Sequence, residues 1–251
     1  MNAGISANKA AISPESAAAS LLKVGGVTPF TATDYPGQLA AVVFVQGCPW
    51  RCDYCHNPHL QLRTIDSPLE WPKVMALLQR RIGLIDAVVF SGGEATIDPA
   101  LQAAILEVRA LGFRVGLHSA GIYPKRLAEI LPVLDWVGLD IKAPFDSYER
   151  ITRIAGSGRY ALQCAEMILA SGVSYEFRTT IHASLLSEEE LLNLAQTLAD
   201  MGVQHYALQL FRPQGCRSAQ LNTFKQAAYP TLELVQHMAT LFPHFTLRQA
   251  E

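Results

Sequence analysis

Short apolar runs recur along the chain, each followed by a stretch with helical spacing of its apolar positions. Most of these runs are nearly continuous in valine, leucine, isoleucine and phenylalanine, the pattern of strands buried on both faces of a parallel sheet. Six such runs occur, at 39–46, 85–91, 113–119, 134–141, 173–180 and 203–211. Strands that alternate with helices predict an α/β fold with a parallel sheet.

The stretches between the runs carry helix signals. Asp98 and Pro99 form the pattern of an N-cap followed by a first-turn proline, so a helix is expected to begin there. Ser187, with Glu190 three residues later, forms the pattern of a capping box at the start of another helix. Further helices are expected at 68–81, 124–131, 158–170 and 230–241.

The length of the chain fits one large globular domain, since α/β barrels commonly reach 251 residues as a single unit. Residues 1–20 are rich in small residues and are predicted to be a flexible N-terminal extension, with the domain at 21–251. Six strand–helix units suit a partial barrel or a doubly wound sheet. Periodicity does not choose between these two architectures.

Composition excludes several classes of protein. The net charge of −2 leaves no basic footprint for a nucleic acid partner. No run approaches the 18 apolar residues of a membrane span, so no membrane association is expected. Three of the five cysteines fall within eight positions, which favours thiolate ligands in a reducing compartment. The cytoplasm is therefore the expected location.

Unusual polar residues follow the predicted strands. In both candidate architectures the chemistry belongs at the carboxyl ends of the strands, so these residues are expected to share one site. They are Cys48, the residues at 91–94, 118–119, 140–142 and 178–182, and Arg212.

Three cysteines, Cys48, Cys52 and Cys55, have the spacing C-x-x-x-C-x-x-C in a loop that contains glycine and proline. Thiolates are soft ligands that suit zinc or an iron–sulfur cluster. A cubane cluster held by three cysteines keeps one iron open for a substrate, whereas structural zinc requires four ligands. The sequence leaves both open, because a fourth ligand could come from His56, His59, Cys164 or Cys216.

Several motifs together resemble a known family. The cysteine spacing, Tyr54 before the last cysteine and the Gly-Gly-Glu of 92–94 are similar to those of radical S-adenosylmethionine enzymes. The sequences CHNP at 55–58 and DYPG at 34–37 resemble the activases of glycyl-radical enzymes, above all those of anaerobic ribonucleoside-triphosphate reductase. The resemblance spans about residues 22–221 and implies a single-domain partial (β/α)6 barrel.

The resemblance implies a cofactor set. One [4Fe–4S] cluster would be held by the three cysteines, and S-adenosylmethionine would bind its open iron. Tyr54 and His56 would flank the adenine, because an aromatic wall offers the purine a stacking surface. Gly92, Gly93 and Glu94 would receive the methionine amino group. A plain Gly-Gly turn with Glu94 near the next helix is the alternative for that motif.

The same resemblance assigns later positions. Asp140 and Lys142 match a D-x-K motif, and residues two apart on a strand face one site. A salt bridge at the strand end is the alternative. Ser119 would reach the cofactor, Arg178 would contact it, and His182 would line its pocket. Cys164 lies in an apolar helix and is expected in the core, and no role is assigned to Cys216.

The resemblance includes one departure. Where activases of pyruvate formate-lyase have an Asp-Thr-Asn-Gly pattern whose aspartate binds a monovalent cation, this chain has HSAG at 118–121. Neutral imidazole is a poor ligand for an alkali cation. The presence of His118 therefore makes that cation site unexpected in this chain, and it argues against pyruvate formate-lyase as the target enzyme.

The implied activity is reductive cleavage of S-adenosylmethionine and removal of a glycine hydrogen from a partner enzyme. The expected partner is anaerobic ribonucleotide reductase. Since the chain lacks a second cysteine-rich insert, its electron is expected to come from a separate donor, which the resemblance implies is a flavodoxin-like protein. The alternatives are an activase of another glycyl-radical enzyme and a radical enzyme that acts on a small molecule, such as the deazaguanine synthase type. A zinc-stabilised binding module is the third.

Overall fold

The computed structural model describes residues 14–224 and 229–249. Its centre is an eight-stranded sheet in which neighbouring strands follow chain order. The strands are β1 (Val24–Thr31), β2 (Ala40–Val45), β3 (Ala87–Gly92), β4 (Arg114–Ser119), β5 (Trp136–Asp140), β6 (Ser174–Ile181), β7 (His205–Leu210) and β8 (His244–Arg248). The six predicted runs are strands β2 to β7, which are all parallel. The predicted α/β class with a parallel sheet is confirmed.

Two edge strands escaped the sequence prediction, so the sheet has eight strands where six were expected. Strand β1 runs antiparallel to β2, and β8 runs parallel to β7. Gly25, Gly26 and Pro29 lie inside β1. These residues are depleted in strands, but an edge strand tolerates them because one side of its backbone needs no partner. Strand β8 has only five residues and none of them is fully buried.

The sheet does not close on itself. Strand β1 pairs with β2 and β8 pairs with β7, and within the described residues no pairing joins β1 to β8. The predicted partial barrel is therefore confirmed, with an open side between its first and last strands.

Helices cover the outer face of this sheet. They are α1 (Pro14–Ala19), α2 (Trp71–Gln79), α3 (Leu101–Ala110), α4 (Pro124–Ile130), α5 (Glu149–Thr152), α6 (Ser157–Ser171), α7 (Glu188–Asp200), α8 (Ala219–Thr223) and α9 (Leu232–Leu241). The capping box of Ser187 and Glu190 is present at the start of α7. Within the described chain, no helix is long and apolar enough to span a membrane.

Two details differ from the sequence prediction. Residues 14–19 of the predicted extension form α1, whose Ala19 is buried, while residues 1–13 lie outside the described residues. Helix α3 begins at Leu101, so Asp98 is not its N-cap. The Asp98 carboxylate instead accepts hydrogen bonds from the backbone of Lys23 and Ala100 and pairs with Arg63. Asp98 thus ties the chain before β1 to the loop after β3.

The buried apolar side chains form two clusters. The larger one joins the outward side chains of the strands to the helices. The smaller one comprises Tyr35, Ala40, Val42, Ala87, Val89 and Trp136. Tyr35 stacks on Trp136 with 5.0 Å between ring centroids. Because alternate strand residues face opposite sides of the sheet, this smaller cluster fills the inside of the barrel. The polar residues at the carboxyl ends of the strands lie beyond it.

Candidate active site

The three cysteines lie on the loop after β2, here called the cysteine loop (residues 47–57). Backbone hydrogen bonds shape it: Gly47 donates to Leu60 at 2.8 Å, and Cys55 donates to Cys52 at 3.1 Å. The three thiols are free and half-buried. The loop therefore presents three sulfur ligands within eight residues, on a fixed backbone.

One flank of the cysteine loop is held by the segment at α5. The backbone N–H groups of Arg51 and Asp53 donate to the carbonyls of Thr152 and Ile151, at 3.0 and 3.3 Å. Arg153 forms a two-pronged ion pair with the Asp53 carboxylate, at 3.0 and 2.7 Å. Such paired contacts fix orientation as well as distance.

The other flank is held by the loop after β7, which includes Cys216. Its thiol donates to the Asp53 carbonyl at 3.6 Å and accepts from the Ser218 N–H at 3.4 Å. His56 Nε2 lies 3.0 Å from the Arg212 carbonyl and donates to it. Cys216, which had no role assigned from the sequence, thus supports the cysteine loop. Cys164 is fully buried in α6, as predicted.

A cavity of about 420 Å³ lies above the smaller apolar cluster, and all three cysteines line it. We call it the cofactor cavity. The predicted site residues in its wall are Tyr54, His56, Gly92, Gly93, Ser119, Asp140, Lys142 and Arg178. Residues from the ends of five consecutive strands thus meet at one place, because parallel strands end at the same edge of a sheet.

Gly92 and Gly93 bring β3 against the backbone of the cysteine loop. Gly92 has a φ of +129°, and a Cβ there would lie 2.2 Å from the Val45 carbonyl oxygen. A Cβ on Gly93 would lie 2.5 Å from the Gly47 carbonyl oxygen. Both distances are shorter than any side chain tolerates. The glycines are therefore needed for packing, and their backbone is left exposed to the cavity.

Glu94 lies behind this wall with only 1% of its surface exposed. Its Oε1 accepts from the Ser119 hydroxyl at 2.9 Å and from the Thr96 hydroxyl and backbone, and its Oε2 accepts from the Ala120 N–H at 2.8 Å. Burial raises the pKa of Glu94, and these hydrogen bonds oppose the shift. The carboxylate ties β3 to β4, and it is not among the residues found to line the cavity.

Glu94→Gln is expected to destabilise the fold by about 1–3 kcal/mol, the cost of leaving a buried polar group unpaired. The amide nitrogen of glutamine cannot accept a hydrogen bond, so it would oppose either Ala120 or the Thr96–Ser119 pair. Denaturant unfolding measures the loss. Glu129→Gln is the control, since Glu129 is exposed and its carboxylate pairs with Arg126 on the same helix, α4. Equal stability of the two variants would contradict this role.

Asp140 and Lys142 both face the cavity at the end of β5, as the D-x-K spacing predicts. Lys142 Nζ lies 3.9 Å from Asp140 Oδ2. Arg178, the register partner of Asp140 on β6, binds its Oδ1 through two nitrogens at 2.8 and 3.0 Å. Burial works against the charge of Asp140, but Arg178 and Lys142 lower its pKa. The carboxylate therefore stays ionised between two cations.

Tyr148 holds the end of β5 in place, a role that the sequence did not indicate. Its hydroxyl donates to the Asp140 carbonyl at 3.1 Å and accepts from the Lys142 N–H at 2.9 Å. Its ring meets Trp50 of the cysteine loop edge-on, with 5.8 Å between centroids. Tyr148 thus links the D-x-K motif to the cysteine loop.

Lys142 is 93% buried and lies over the ring of Tyr54, 5.4 Å from its centroid. Burial works against its charge, yet acidic neighbours, of which the Asp140 carboxylate is ionised, raise the pKa of Lys142 well above its usual value. Burial raises the pKa of Cys48 to about 12 and also raises that of Cys52. These thiols hold their protons at neutral pH, and a metal that binds them must displace the protons.

Two histidines differ in their surroundings. His118 lines the cavity, and its Nε2 donates to the Asp34 carbonyl at 2.7 Å. Burial and the nearby Arg178 lower the pKa of His118 to about 4, so the ring is neutral. His182 lies instead between Phe211 and Phe224, with Nδ1 accepting from Ser184. It is not among the residues found to line the cofactor cavity, contrary to the prediction that it lines the pocket.

A second cavity of about 660 Å³ adjoins the first at the open side of the barrel, and we call it the mouth cavity. It is bounded by Asp34 and Pro36 after β1 and by Arg248 and Gln249 at the end of β8. The DYPG sequence at 34–37 is one of the motifs by which the chain resembles activases, and it forms one rim of the opening. The two cavities share six wall residues: Asp34, His56, Arg178, Thr180, Gln209 and Arg212.

The residues around the cofactor cavity fit an iron–sulfur cluster. Three thiols line one cavity, beside exposed backbone groups and the ion pairs of β5 and β6. Within the described part of the chain, no group of three His, Cys, Asp or Glu side chains is arranged to hold a metal ion. In a cubane cluster each thiolate binds its own iron, so its ligands lie further apart than ligands that share one ion.

Comparison with known proteins defines the class. The model of the Radical SAM superfamily matches residues 42–198, which is more than half of the chain. The chain therefore belongs to the Radical SAM superfamily, and the predicted kind of enzyme is confirmed at that level. The match begins within β2 and includes the cysteine loop and strands β3 to β6.

Two curated relatives narrow the comparison. The first, from Methanocaldococcus jannaschii, is provisionally named a glycyl-radical enzyme activating enzyme; it is 29% identical over 76% of this chain and 80% of its own. The second is the pyruvate formate-lyase-activating enzyme of Clostridium pasteurianum, 33% identical over 67% and 72%. The predicted resemblance to glycyl-radical-enzyme activases is thereby confirmed.

A solved structure confirms the fold alone. Streptococcus suis SuiB bound to its precursor peptide SuiA superposes with a TM-score of 0.63 at 11% sequence identity. The match covers 82% of this chain and 48% of SuiB. The open parallel sheet is therefore shared with a much larger protein.

Proposed function

We propose that the chain is an activase that cleaves S-adenosylmethionine and removes a hydrogen from a glycine of a partner protein. The observation that carries this proposal is the mouth cavity. It opens between β1 and β8, which do not pair with each other in the described sheet, and it shares a wall with the cofactor cavity. A loop of another protein has a path to the cofactor through this opening. The activating enzymes among the relatives support the same reading.

In this proposal Cys48, Cys52 and Cys55 hold one [4Fe–4S] cluster. When bound, such a cluster would supply the electron for reductive cleavage of the sulfonium of S-adenosylmethionine, which would leave methionine and a 5′-deoxyadenosyl radical. The backbone of Gly92 and Gly93 meets the methionine amino group. Glu94 and Ser119 act behind that backbone by fixing its position.

The remaining residues orient the other parts of S-adenosylmethionine. Lys142 pairs with the carboxylate, because it is a buried cation whose ion-pair partner within the described residues, Asp140, is 3.9 Å away. Tyr54 and His56 flank the adenine, and His56 is oriented by its hydrogen bond to the Arg212 carbonyl. Asp140 binds a ribose hydroxyl while Arg178 fixes its carboxylate. The smaller apolar cluster lies beneath the cofactor cavity and excludes water from that side.

The partner in this proposal is anaerobic ribonucleotide reductase, with a flavodoxin-like electron donor. A cytoplasmic location belongs to the same proposal, since three free thiols in one cavity are kept reduced in a reducing compartment. His118 in place of an aspartate is the feature that separates this chain from the activases with the Asp-Thr-Asn-Gly pattern. Arg178, which lies beside His118, forms an ion pair with the Asp140 carboxylate.

The test is electron paramagnetic resonance. Reduced enzyme with S-adenosylmethionine is expected to give a glycyl radical signal in anaerobic ribonucleotide reductase, because the partner's glycine reaches the cofactor through the mouth cavity. Replacing the acceptor glycine of the partner by alanine is expected to remove the signal. If 5′-deoxyadenosine forms only when a soluble metabolite is added, and no partner protein acquires a radical, the enzyme acts on a small molecule instead.

A further inference from the structure

A row of polar residues crosses from the cofactor cavity to the open edge of the sheet. Thr180 on β6 is the register partner of Gln209 on β7, and Gln209 is the register partner of Arg248 on β8. Register partners stand side by side on one face of a sheet. All three residues line the mouth cavity, and Thr180 and Gln209 also line the cofactor cavity.

The side chains in the shared wall differ in whether they have partners. Asp34 accepts from Thr31, His56 donates to Arg212, and Arg178 binds Asp140. Among the described residues, by contrast, the side chains of Thr180, Gln209 and Arg212 have no hydrogen-bond partner. Thr180 and Gln209 are half-buried and uncharged, so each is open to a hydrogen-bond partner in the cavity.

The chemistry of these two side chains is informative. A hydroxyl and a primary amide each donate and accept hydrogen bonds, and neither carries charge. An extended peptide presents alternating N–H and C=O groups that require both kinds of partner. Two cations of this region, Arg178 and Arg248, are already paired with Asp140 and Glu176. The third, Arg212, has no ion-pair partner among the described residues, and its guanidinium is a donor that suits a peptide carbonyl.

We propose that Thr180 and Gln209 bind the backbone of the glycine-bearing segment of the partner protein, and so position its Cα–H at the boundary between the two cavities. This inference rests on the proposed function. It makes the two residues positioning residues for the protein substrate and gives them no part in binding S-adenosylmethionine. A glycine segment leaves the backbone open to such contacts, because it has no side chain at the point of closest approach.

The test compares Gln209→Leu and Thr180→Val with the wild-type enzyme, all loaded with the cluster. The concentration of anaerobic ribonucleotide reductase is varied and the glycyl radical is measured by electron paramagnetic resonance. The half-saturating partner concentration is expected to rise roughly three- to tenfold in each variant, the scale of one lost neutral hydrogen bond. Cluster content, S-adenosylmethionine binding and its slow cleavage without partner are expected to stay unchanged. Gln102→Leu, on the exposed face of α3, is the matched control.

The outcomes separate the two proposals. An unchanged half-saturating concentration of the partner in both variants would overturn this inference. The proposed function would still stand in that case, because the wild type forms the radical. Weaker S-adenosylmethionine binding in the variants would also overturn it, since the side chains would then belong to the cofactor. A wild-type enzyme that gives no radical in a partner protein would overturn the proposed function, and this inference with it.

Discussion

Cys52→Ala is expected to abolish the iron–sulfur cluster and all cleavage of S-adenosylmethionine. The substitution removes the protein ligand of one iron in a cubane that is held by three thiolates. The two remaining cysteines are too few to hold the cluster. Iron and acid-labile sulfide analysis after anaerobic reconstitution measures the effect. The wild type is expected to hold about four of each per chain, and the variant close to none.

Cys164→Ala is the matched control for this experiment. It removes another of the five cysteines, but this one is buried in α6 and is not among the residues found to line the cofactor cavity. Its cluster content is expected to equal that of the wild type. Stoichiometric zinc without acid-labile sulfide in the wild type would show that the cysteine loop is a zinc site.

Lys142→Met is expected to weaken S-adenosylmethionine binding by about 1–3 kcal/mol, the scale of a lost charged hydrogen bond. Lys142 is a buried cation in the cavity wall, and methionine keeps its length and apolar stem without its charge. Asp140 remains paired, because Arg178 holds its Oδ1 at 2.8 Å. Equilibrium binding to the reconstituted enzyme measures the change.

Cluster content separates a loss of binding from a loss of the site. It is expected to be the same in Lys142→Met as in the wild type, since the three cysteines are untouched. Lys125→Met serves as control, because Lys125 is exposed on α4 and does not line the cavity. Equal affinity of the wild type and Lys142→Met would remove Lys142 from the cofactor site.

The sheet was predictable to the extent that its strands are central. Strands β2 to β7 are buried on both faces, so their apolar runs stand out in the sequence. Strands β1 and β8 pair on one side only, and edge strands carry the glycine, proline and polar residues that conceal them. For this reason the sequence suggested six strands and a shorter sheet.

The site was predictable where motifs have fixed spacing. The cysteines, Gly92, Gly93 and the D-x-K pair are local patterns, and the structure brings them to one cavity. Contacts between distant segments leave no such pattern. The pairing of Arg178 with Asp140 and the hydrogen bonds of Tyr148 depend on strand register, which one sequence does not reveal. Arg178 and Thr180 alternate along β6, and both line the wall of the cofactor cavity. His182 does not continue this alternation, because β6 ends at Ile181.

The two supports of the cysteine loop come from late in the chain. Asp53 is held by Arg153, 100 residues further on, and by Cys216, 163 residues further on. Contacts between such distant residues form slowly, because a long stretch of chain must first be ordered. The three cysteines therefore leave the ribosome early and are expected to acquire their final arrangement late. A cluster held by these cysteines would accordingly be inserted after the barrel is complete.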